Sequence, residues 1–293
     1  MKIIVKKVLI SLIVFVLSQC KKDPNPFVTI TDNNFLNALI EIGVDKNGDG
    51  NISTDEAAQV HTLDVSHNNI SDLKGIEAFV NLDTLECGWN ILSTLDLSNN
   101  RALKMLLCSS NKLTALHLSN NNELIVLDVP NNLLTSLNVS NHPVLEVLEC
   151  GKNSLTSLDV SNCPALNILK CELNLLTSLD VSNNNERLTW IICGGNLLTS
   201  LNIANNPALT ILACTRNSLA ILDVSNNPRL GALYCDENLL TTLNLSKSAL
   251  YYINLASMPS LSKVCVWTMP FPPAGVTVDT TGSPNVYFTM NCN

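Results

Sequence analysis

The chain has 293 residues, of which 17 are basic and 25 acidic, so its formal net charge is −8. Aromatic residues make up 4% of it and charged residues 14%, which excludes the basic, aromatic-lined surfaces that bind nucleic acids. Leucine and asparagine recur throughout, and this bias is typical of a repeat protein rather than of a globular enzyme.

The first 20 residues have the pattern of an export signal. A basic start, with Lys2, Lys6 and Lys7, precedes an apolar run from Val8 to Leu17. A run of this length is too short to cross a bilayer as a helix, but it suits a secretory signal. We therefore expect an exported protein.

The end of this segment, LSQC at residues 17–20, resembles the lipobox of bacterial lipoproteins. The resemblance implies that Cys20 is lipidated and becomes the new N-terminus, which would anchor the chain stably. Because Gln19 is unusual before that cysteine, ordinary signal cleavage is the alternative. Residues 21–26, KKDPNP, form a polar tether. We expect an outer-membrane lipoprotein of the cell envelope, facing either the periplasm or the exterior.

Residues 45–56, DKNGDGNISTDE, resemble the calcium loop of an EF-hand, with oxygen donors at the ligand positions and Gly50 at the sharp turn. Segments with helical patterns flank the loop. The resemblance implies a bound Ca²⁺ ion, and its candidate ligands are Asp45, Asn47, Asp49, the carbonyl of Asn51, Ser53 and Glu56. Because no second hand is visible, we expect a weak structural clip, with affinity on the order of 10⁻⁴ to 10⁻³ M, in an N-terminal cap over residues 27–61.

From Leu82 onward a unit of about 21 residues recurs, with the pattern L-x-x-L-x-C-x-x-N-x-L-x-x-L-x-L-S-x-N-x-x. A looser copy precedes it. Over residues 62–267 this pattern resembles leucine-rich repeat proteins, and most of all the nested 21-residue class of bacteria. The resemblance implies a mainly β, right-handed solenoid of short parallel strands. Residues 268–293 depart from the pattern, and we expect them to form an irregular C-terminal cap.

Within each unit, the alternation around the cysteine predicts a short strand whose leucine and cysteine point inward. A second alternating run predicts another parallel strand on the opposite side of the coil. The asparagine after the first strand should satisfy backbone groups of adjacent coils and so form a ladder. Its members are Asn90, Asn111, Asn132, Asn153, Asn174, Asn196, Asn217 and Asn238.

Seven cysteines occupy the same inward position, whereas Val65 and Val129 occupy it in two other units. A position that accepts valine is a packing position, so we expect reduced, structural thiols there. Cys265 is predicted to point outward, and a disulfide with Cys292 would hold the C-terminal end. Cys163 stands at a turn and is predicted to be free and partly exposed.

Two outward faces can be compared along the units. The second-strand side repeats Asp, Asn, Ser and Thr, which indicates a solvated scaffold, whereas the cysteine-side strand presents an irregular apolar strip that is typical of an interaction surface. Packing against loops or simple β-propensity is the alternative account of that strip. Its candidate partner-binding residues are Trp89, Met105, Leu107, Ile168, Trp190, Ile192, Ile211, Arg216 and Tyr234.

The four histidines stand beside no plausible nucleophile, and no phosphate loop or HExxH motif occurs, so we expect no enzyme. The sequence favours a monomeric cell-envelope lipoprotein that binds an unidentified protein or glycan through its cysteine-side strand face. It would contact the membrane only through its lipid anchor. A non-binding structural spacer is the alternative function.

Overall fold

A computed structural model describes residues 27–140, 142–184, 186–246 and 250–292. The signal region, Cys20 and the tether therefore lie outside the described residues. Among the residues that are described, no helix is long and apolar enough to cross a membrane.

The N-terminal cap contains two short helices, α1 (Asn33–Glu41) and α2 (Thr54–Ala57), which flank the predicted calcium loop. Asp32 caps α1, because its carboxylate accepts the amides of Asn34 and Phe35. The same carboxylate accepts both the amide and the hydroxyl of Ser71, at 2.8 and 2.7 Å. One side chain thus starts the helix and joins it to the first coil.

The rest of the described chain is a stack of coils, each with a strand of three residues. In chain order these are β1 (Thr62–Asp64), β2 (Thr84–Glu86), β3 (Met105–Leu107), β4 (Val126–Asp128), β5 (Val147–Glu149), β6 (Ile168–Lys170), β7 (Trp190–Ile192), β8 (Ile211–Ala213), β9 (Ala232–Tyr234), β10 (Thr242–Asn244), β11 (Tyr252–Asn254), β12 (Lys263–Cys265), β13 (Thr277–Asp279) and β14 (Tyr287–Thr289). A single 3-10 turn, Ile76–Ala78, lies between β1 and β2.

Eleven of these strands form one parallel sheet in the order β1 to β9, then β11 and β13. Equivalent residues pair across every step, so that Leu85 lies beside Leu106 and Leu106 beside Leu127. Because the register never slips, the central residues of β1 to β9 and β11, all leucine or isoleucine, form one continuous fully buried column. The expected mainly β, parallel leucine-rich solenoid is confirmed.

The predicted asparagine ladder follows the strands. Asn111 illustrates it: its amide nitrogen donates to the carbonyls of Cys87 and Cys108, and its oxygen accepts the Leu92 amide at 3.0 Å. Each ladder side chain therefore satisfies groups of its own coil and of the preceding one. Turn carbonyls and amides that would otherwise be buried without partners are paired in this way.

A second internal ladder, which the sequence reasoning missed, runs along the other side of the coils. Its asparagines are fully buried and donate to carbonyls of earlier coils. The ladder comprises Asn100, Asn121, Asn184, Asn206 and Asn227, with His142 and Cys163 in the two intervening coils. The prediction of a partly exposed Cys163 was wrong, because this position points into the core, where the thiol donates to the Val139 carbonyl.

A regular second strand in every coil is not found in the described residues. Single bridges such as Asp96 with His117 occur, and only β10, β12 and β14 form a second parallel sheet. The side chain of Asp96 accepts the amide of Ser98 and turns the chain directly after the bridge, as the Asn244 side chain does with the Ser246 amide after β10.

The C-terminal segment departs from the sequence repeat yet continues the coil. β13 pairs with β11 and β14 with β12, with Val278 beside Ile253 and Phe288 beside Val264. Residues 268–292 therefore add one strand to each sheet, which their irregular sequence did not predict. A disulfide joins Cys265 to Cys292, and Cys265 is buried.

Candidate interaction surface

The strand face of the large sheet is formed by the first and third residues of each strand. From β2 to β6 and again in β8 the central residue is buried and its two neighbours are half-buried. The outward side chains thus shield one another while leaving their ends in solvent. Of the predicted partner-binding residues, Met105, Leu107, Ile168, Trp190, Ile192, Ile211 and Tyr234 lie on this face.

The C-terminal half of the strand face is apolar. Trp190 is 37% exposed, and Ile192 and Ile211 lie beside it in the paired strands β7 and β8. Farther along, the rings of Tyr234 and Tyr252 lie 4.8 Å apart between centroids. Large apolar and aromatic side chains at neighbouring positions of a flat parallel sheet make a patch that suits a macromolecular partner.

The N-terminal half of the face carries charges among its apolar residues. Lys170 forms an ion pair with Glu149, with 2.7 Å between Nζ and Oε1. Asp128 lies beside Glu149 in the register, and one of its carboxylate oxygens is shielded from solvent without a hydrogen-bond partner among the described residues. Burial raises the pKa of Asp128 to about 6, and Glu149 adds to the rise while Lys170 opposes it.

Trp89 and Arg216, also predicted as partner-binding, lie beyond the strand ends on the turn that follows. Both have a positive φ, 54° and 53°, so their backbone is in the left-handed region and the extended conformation of the strand has ended before them. Trp89 is 61% exposed and stacks on His67, with 5.5 Å between ring centroids. Arg216 forms an ion pair with Glu237 at 2.9 Å.

The same turn carries exposed leucines that the sequence reasoning did not identify. They lie directly before or after the buried ladder asparagine. Leu133, Leu173, Leu175, Leu197 and Leu239 are each about half exposed, between 47 and 59%. The signal for them was present as a column adjoining the ladder, but strand periodicity does not say which way a turn residue points.

The opposite side of the coils is polar, as the sequence predicts. Asp159 and Asp180 each accept the amide of the residue two positions on, Ser161 and Ser182. Hydrogen bonds from those serines lower the pKa of both carboxyls. These side chains shape the turns, and they are occupied in doing so.

All seven cysteines of the inward column are buried and free in the structure. Burial raises the pKa of Cys87 and of Cys193 to about 12, far above the pH at which a thiolate would form. Val129 fills the same position in β4's coil and is equally buried. The geometry therefore supports packing and offers no reactive thiol in this column.

The predicted calcium loop is held by hydrogen bonds within itself. Asp45 accepts the amides of Gly48 and Gly50 at 2.7 and 2.8 Å, and both glycines have a positive φ. The carboxylate of Glu56 accepts the amides of Lys46 and Ser53.

The Ser53 amide and hydroxyl, followed by the Lys46 amide, lower the pKa of Glu56 to about 2. The oxygen donors suit calcium by type, although within the described ranges no three His, Cys, Asp or Glu residues are gathered as a metal-holding group.

The loop has a backbone partner in place of a second hand. Phe27 forms an antiparallel bridge with Ser53, and the Val28 amide donates to the Ile52 carbonyl at 2.7 Å. The entering chain therefore pairs with the loop and satisfies its backbone.

Comparison with solved structures places these features in context. The functional domain of InlJ from Listeria monocytogenes, which includes a cysteine ladder, is 31% identical with a TM-score of 0.74; the match covers 80% of this chain and 56% of that one. This chain has a leucine-rich repeat fold. A leucine-rich repeat protein of Leptospira interrogans is 20% identical with a TM-score of 0.66, and the match covers 81% of this chain and 64% of that one.

The leucine-rich effector protein YopM from Yersinia pestis is 25% identical with a TM-score of 0.60, and the match covers 87% of this chain and 75% of that one. No protein-family model and no curated protein matches the chain. These three neighbours are bacterial leucine-rich repeat proteins, and none of them is named for a catalytic activity. The chain spans little more than half the length of the first.

Proposed function

We propose that this chain is a cell-envelope lipoprotein whose leucine-rich solenoid binds a macromolecular partner, a protein or a glycan, through its strand face. The observation that carries the proposal is the contiguous apolar patch around Trp190, Ile192 and Tyr234. Small polar residues would serve a simple spacer at these positions, as they do on the opposite side. Large residues that remain partly in solvent are better explained by a partner that covers them.

The patch can be tested by comparing paired variants on the two sides of the solenoid. Trp190→Ser with Tyr234→Ser should reduce capture of the partner on cross-linked cells by about tenfold or more, because aromatic anchors dominate interface energies. The matched control is Asp159→Ser with Asp180→Ser, which keeps a turn-capping oxygen. If both double variants lose capture of the partner equally, with unchanged melting temperatures, the partner binds some other surface.

The lipid anchor at Cys20 rests on the sequence motif. An exported location agrees with the disulfide between Cys265 and Cys292, since such bonds persist in oxidising compartments. Cys20→Ser should move the protein from the detergent phase to the aqueous phase. Unchanged partition of this variant would contradict the anchor.

Calcium binding at the loop is likewise part of the proposal. Asp45, Asn47, Asp49, Ser53 and Glu56, with the Asn51 carbonyl, would hold the ion, whose positive charge would offset the carboxylates gathered there. The ion would stabilise the cap because the loop joins α1 to α2 and pairs with the entering chain.

Glu56→Gln separates this role from helix capping, since glutamine at this position can still complete the capping box. Wild-type protein should melt several degrees higher in millimolar calcium than in chelator, and the variant should lose most of that difference. Equal melting of the wild-type protein in both solutions would contradict the calcium clip.

A further inference from the structure

A row of exposed side chains runs along the turn that follows the strands of the large sheet. It consists of the residues immediately before and after the buried ladder asparagine in each coil from β2 to β9, and we call it the flank row. Its apolar members are Trp89, Ile91, Leu133, Leu173, Leu175, Leu197 and Leu239, all 39% or more exposed. Its charged members are Lys112, Lys152, Arg216 and Glu237.

The row is regular. The backbone after each ladder asparagine is hydrogen-bonded to the coil before, as in the Leu133 amide to the Leu113 carbonyl and the Leu175 amide to the Leu155 carbonyl, both 2.9 Å. The row is therefore fixed to the stack and repeats at the strand spacing. Eight coils at ~4.8 Å give it a length of roughly 34 Å.

The charge of the row is opposite in sign to that of the molecule. The whole chain carries a formal charge of −8, whereas the row contains three basic residues and one acid. Lys112 and Lys152 are exposed, and Arg216 is paired with Glu237. Leucines, a tryptophan and bases in one line are the composition of surfaces that lie in an anionic membrane interface.

The start of α1 lies beside the first coil of the row. The Asn34 side chain donates to the Asn69 carbonyl at 3.0 Å, and Asp32 accepts the Ser71 hydroxyl. Residue 69 lies in the coil that stacks directly before Ile91, whose amide donates to the next carbonyl, that of Ile70. The N-terminal cap is therefore fixed beside the start of this row, and the described chain enters that cap where Phe27 pairs with Ser53.

We propose that the flank row is a membrane-contact surface, which lays the solenoid along a bilayer with anionic headgroups and leaves the strand face free for its partner. The inference rests on the proposed lipid anchor for the orientation of the chain. The remaining members of the row are Ser110, Asn131, Ser154, Gly195 and Ser218. A shape-specific protein partner is less favoured because none of the three main pockets of the described residues is lined by the row, whereas a planar bilayer needs no pocket.

The test uses the full chain in vesicles of phosphatidylcholine and phosphatidylglycerol with brominated acyl chains, which quench tryptophan on contact. Two variants isolate one tryptophan each: Trp190→Phe with Trp267→Phe leaves Trp89, and Trp89→Phe with Trp267→Phe leaves Trp190. We expect quenching of Trp89 to exceed that of Trp190 by about twofold or more, and to weaken in vesicles of phosphatidylcholine alone. Equal quenching of the two would overturn the inference.

Surface variants provide the matched control. Leu133→Ser, Leu175→Ser and Leu197→Ser combined should remove most of the quenching of Trp89. Because all three side chains are about half exposed, the substitutions should leave the fold intact, and an unchanged melting curve checks this. Ile221→Ser, at a residue that is 78% exposed outside the row, should leave the quenching of Trp89 unchanged. Unchanged quenching of Trp89 in the triple variant would contradict membrane contact. A dimer that is cross-linked through these leucines would contradict it as well.

The proposed lipid anchor and the proposed membrane contact of the flank row can be disproved separately. Flotation of the protein with vesicles, compared with that of Cys20→Ser, reports the anchor alone. If flotation shows no anchor, excess anionic vesicles should still quench Trp89 more than Trp190 when the row binds lipid. The absence of that difference would overturn the inference whatever holds the chain at the membrane.

Discussion

At the inward cysteine position, a single substitution can separate packing from sulfur chemistry. Cys150 is buried in the same column as Val129, two residues that fill equivalent sites in adjacent coils. Cys150→Val should therefore change the free energy of unfolding by less than about 1.5 kcal/mol, as volume-conserving core changes do. Urea titration measures it.

Cys150→Ser is the matched contrast at this position. It places a hydroxyl in the same dry site and should cost about 1 to 3 kcal/mol if the oxygen finds no partner. A larger loss with valine than with serine would show that the column needs a property of sulfur other than size.

Asp128 gives the strand face a pH dependence. Its pKa is raised to about 6 from the usual 3.8 of an aspartate, chiefly by burial, so the folded state binds its proton more tightly than the unfolded state does. The contribution of Asp128 to the free energy of unfolding is fully present below the pKa that this group has in the unfolded chain. It is lost as the pH rises through about 6.

Asp128→Asn should therefore raise the melting temperature at pH 7 and change it little at pH 4. The gain corresponds to about 1 kcal/mol after screening by solvent is allowed for. Thermal melts at the two values measure it. An identical rise in the melting temperature at both pH values would mean that the charge of Asp128 does not cause the rise.

At the scale of elements, one carboxylate both caps α1 and joins it to the solenoid. Asp32 caps the helix and also accepts the Ser71 amide and hydroxyl. Asp32→Ala should lose the helix cap, at about 1 kcal/mol, and loosen the attachment of the helix to the first coil, where the contact of Asn34 with the Asn69 carbonyl remains. Hydrogen exchange should then rise in residues 33–41 well before it rises in the strands.

Ser71→Ala is the control for the contact between Asp32 and the first coil. It removes only the hydroxyl contact and leaves the helix cap intact, so protection of α1 should fall less than in Asp32→Ala. Equal protection of the helix in wild-type protein and in Asp32→Ala would show that packing of Phe35 alone holds the cap.

The strands could be predicted from the sequence because alternation and a fixed unit length specify both which residues face inward and how coils align. The first ladder followed from the same register. Cys163 and the exposed leucines could not be placed in this way, since they lie in turns. There the direction of a side chain depends on backbone angles, such as the positive φ of Trp89, that no period encodes.

The predicted partner-binding residues also divide into strand residues and turn residues, and only the direction of the strand residues follows from the repeat. Trp190 and Tyr234 stand on strands, and their outward direction follows from the inward Ile191 and Leu233 at the centres of those strands. Trp89 and Arg216 were grouped with them by proximity in sequence, yet they lie in turns and have positive φ. Assignment of a residue to a face of this solenoid therefore requires the turn geometry as well as the repeat.

At the scale of the whole molecule, a stack of coils is held by contacts between neighbours, so its ends are its least stable parts. The helical cap covers the N-terminal end. At the other end β13 and β14 are edge strands, and Val278 and Phe288 are only partly buried because no further described coil covers them. The disulfide from Cys265 to Cys292 ties the last strand back to the coil before it.

Cys292→Ser should therefore loosen the C-terminal coil without unfolding the middle of the stack. Removing the cross-link frees the 27-residue loop that it closes, a constraint worth roughly 2 to 4 kcal/mol. Because coils couple mainly to their neighbours, exchange of amides should increase in residues 277–292, less in β11 and β12, and hardly at all near β5. Cys163→Ala, which removes an internal thiol far from this end, controls for loss of a cysteine as such. Uniform acceleration across all coils in Cys292→Ser would show that the solenoid unfolds as one cooperative unit, and that its C-terminal end is not an independent weak point.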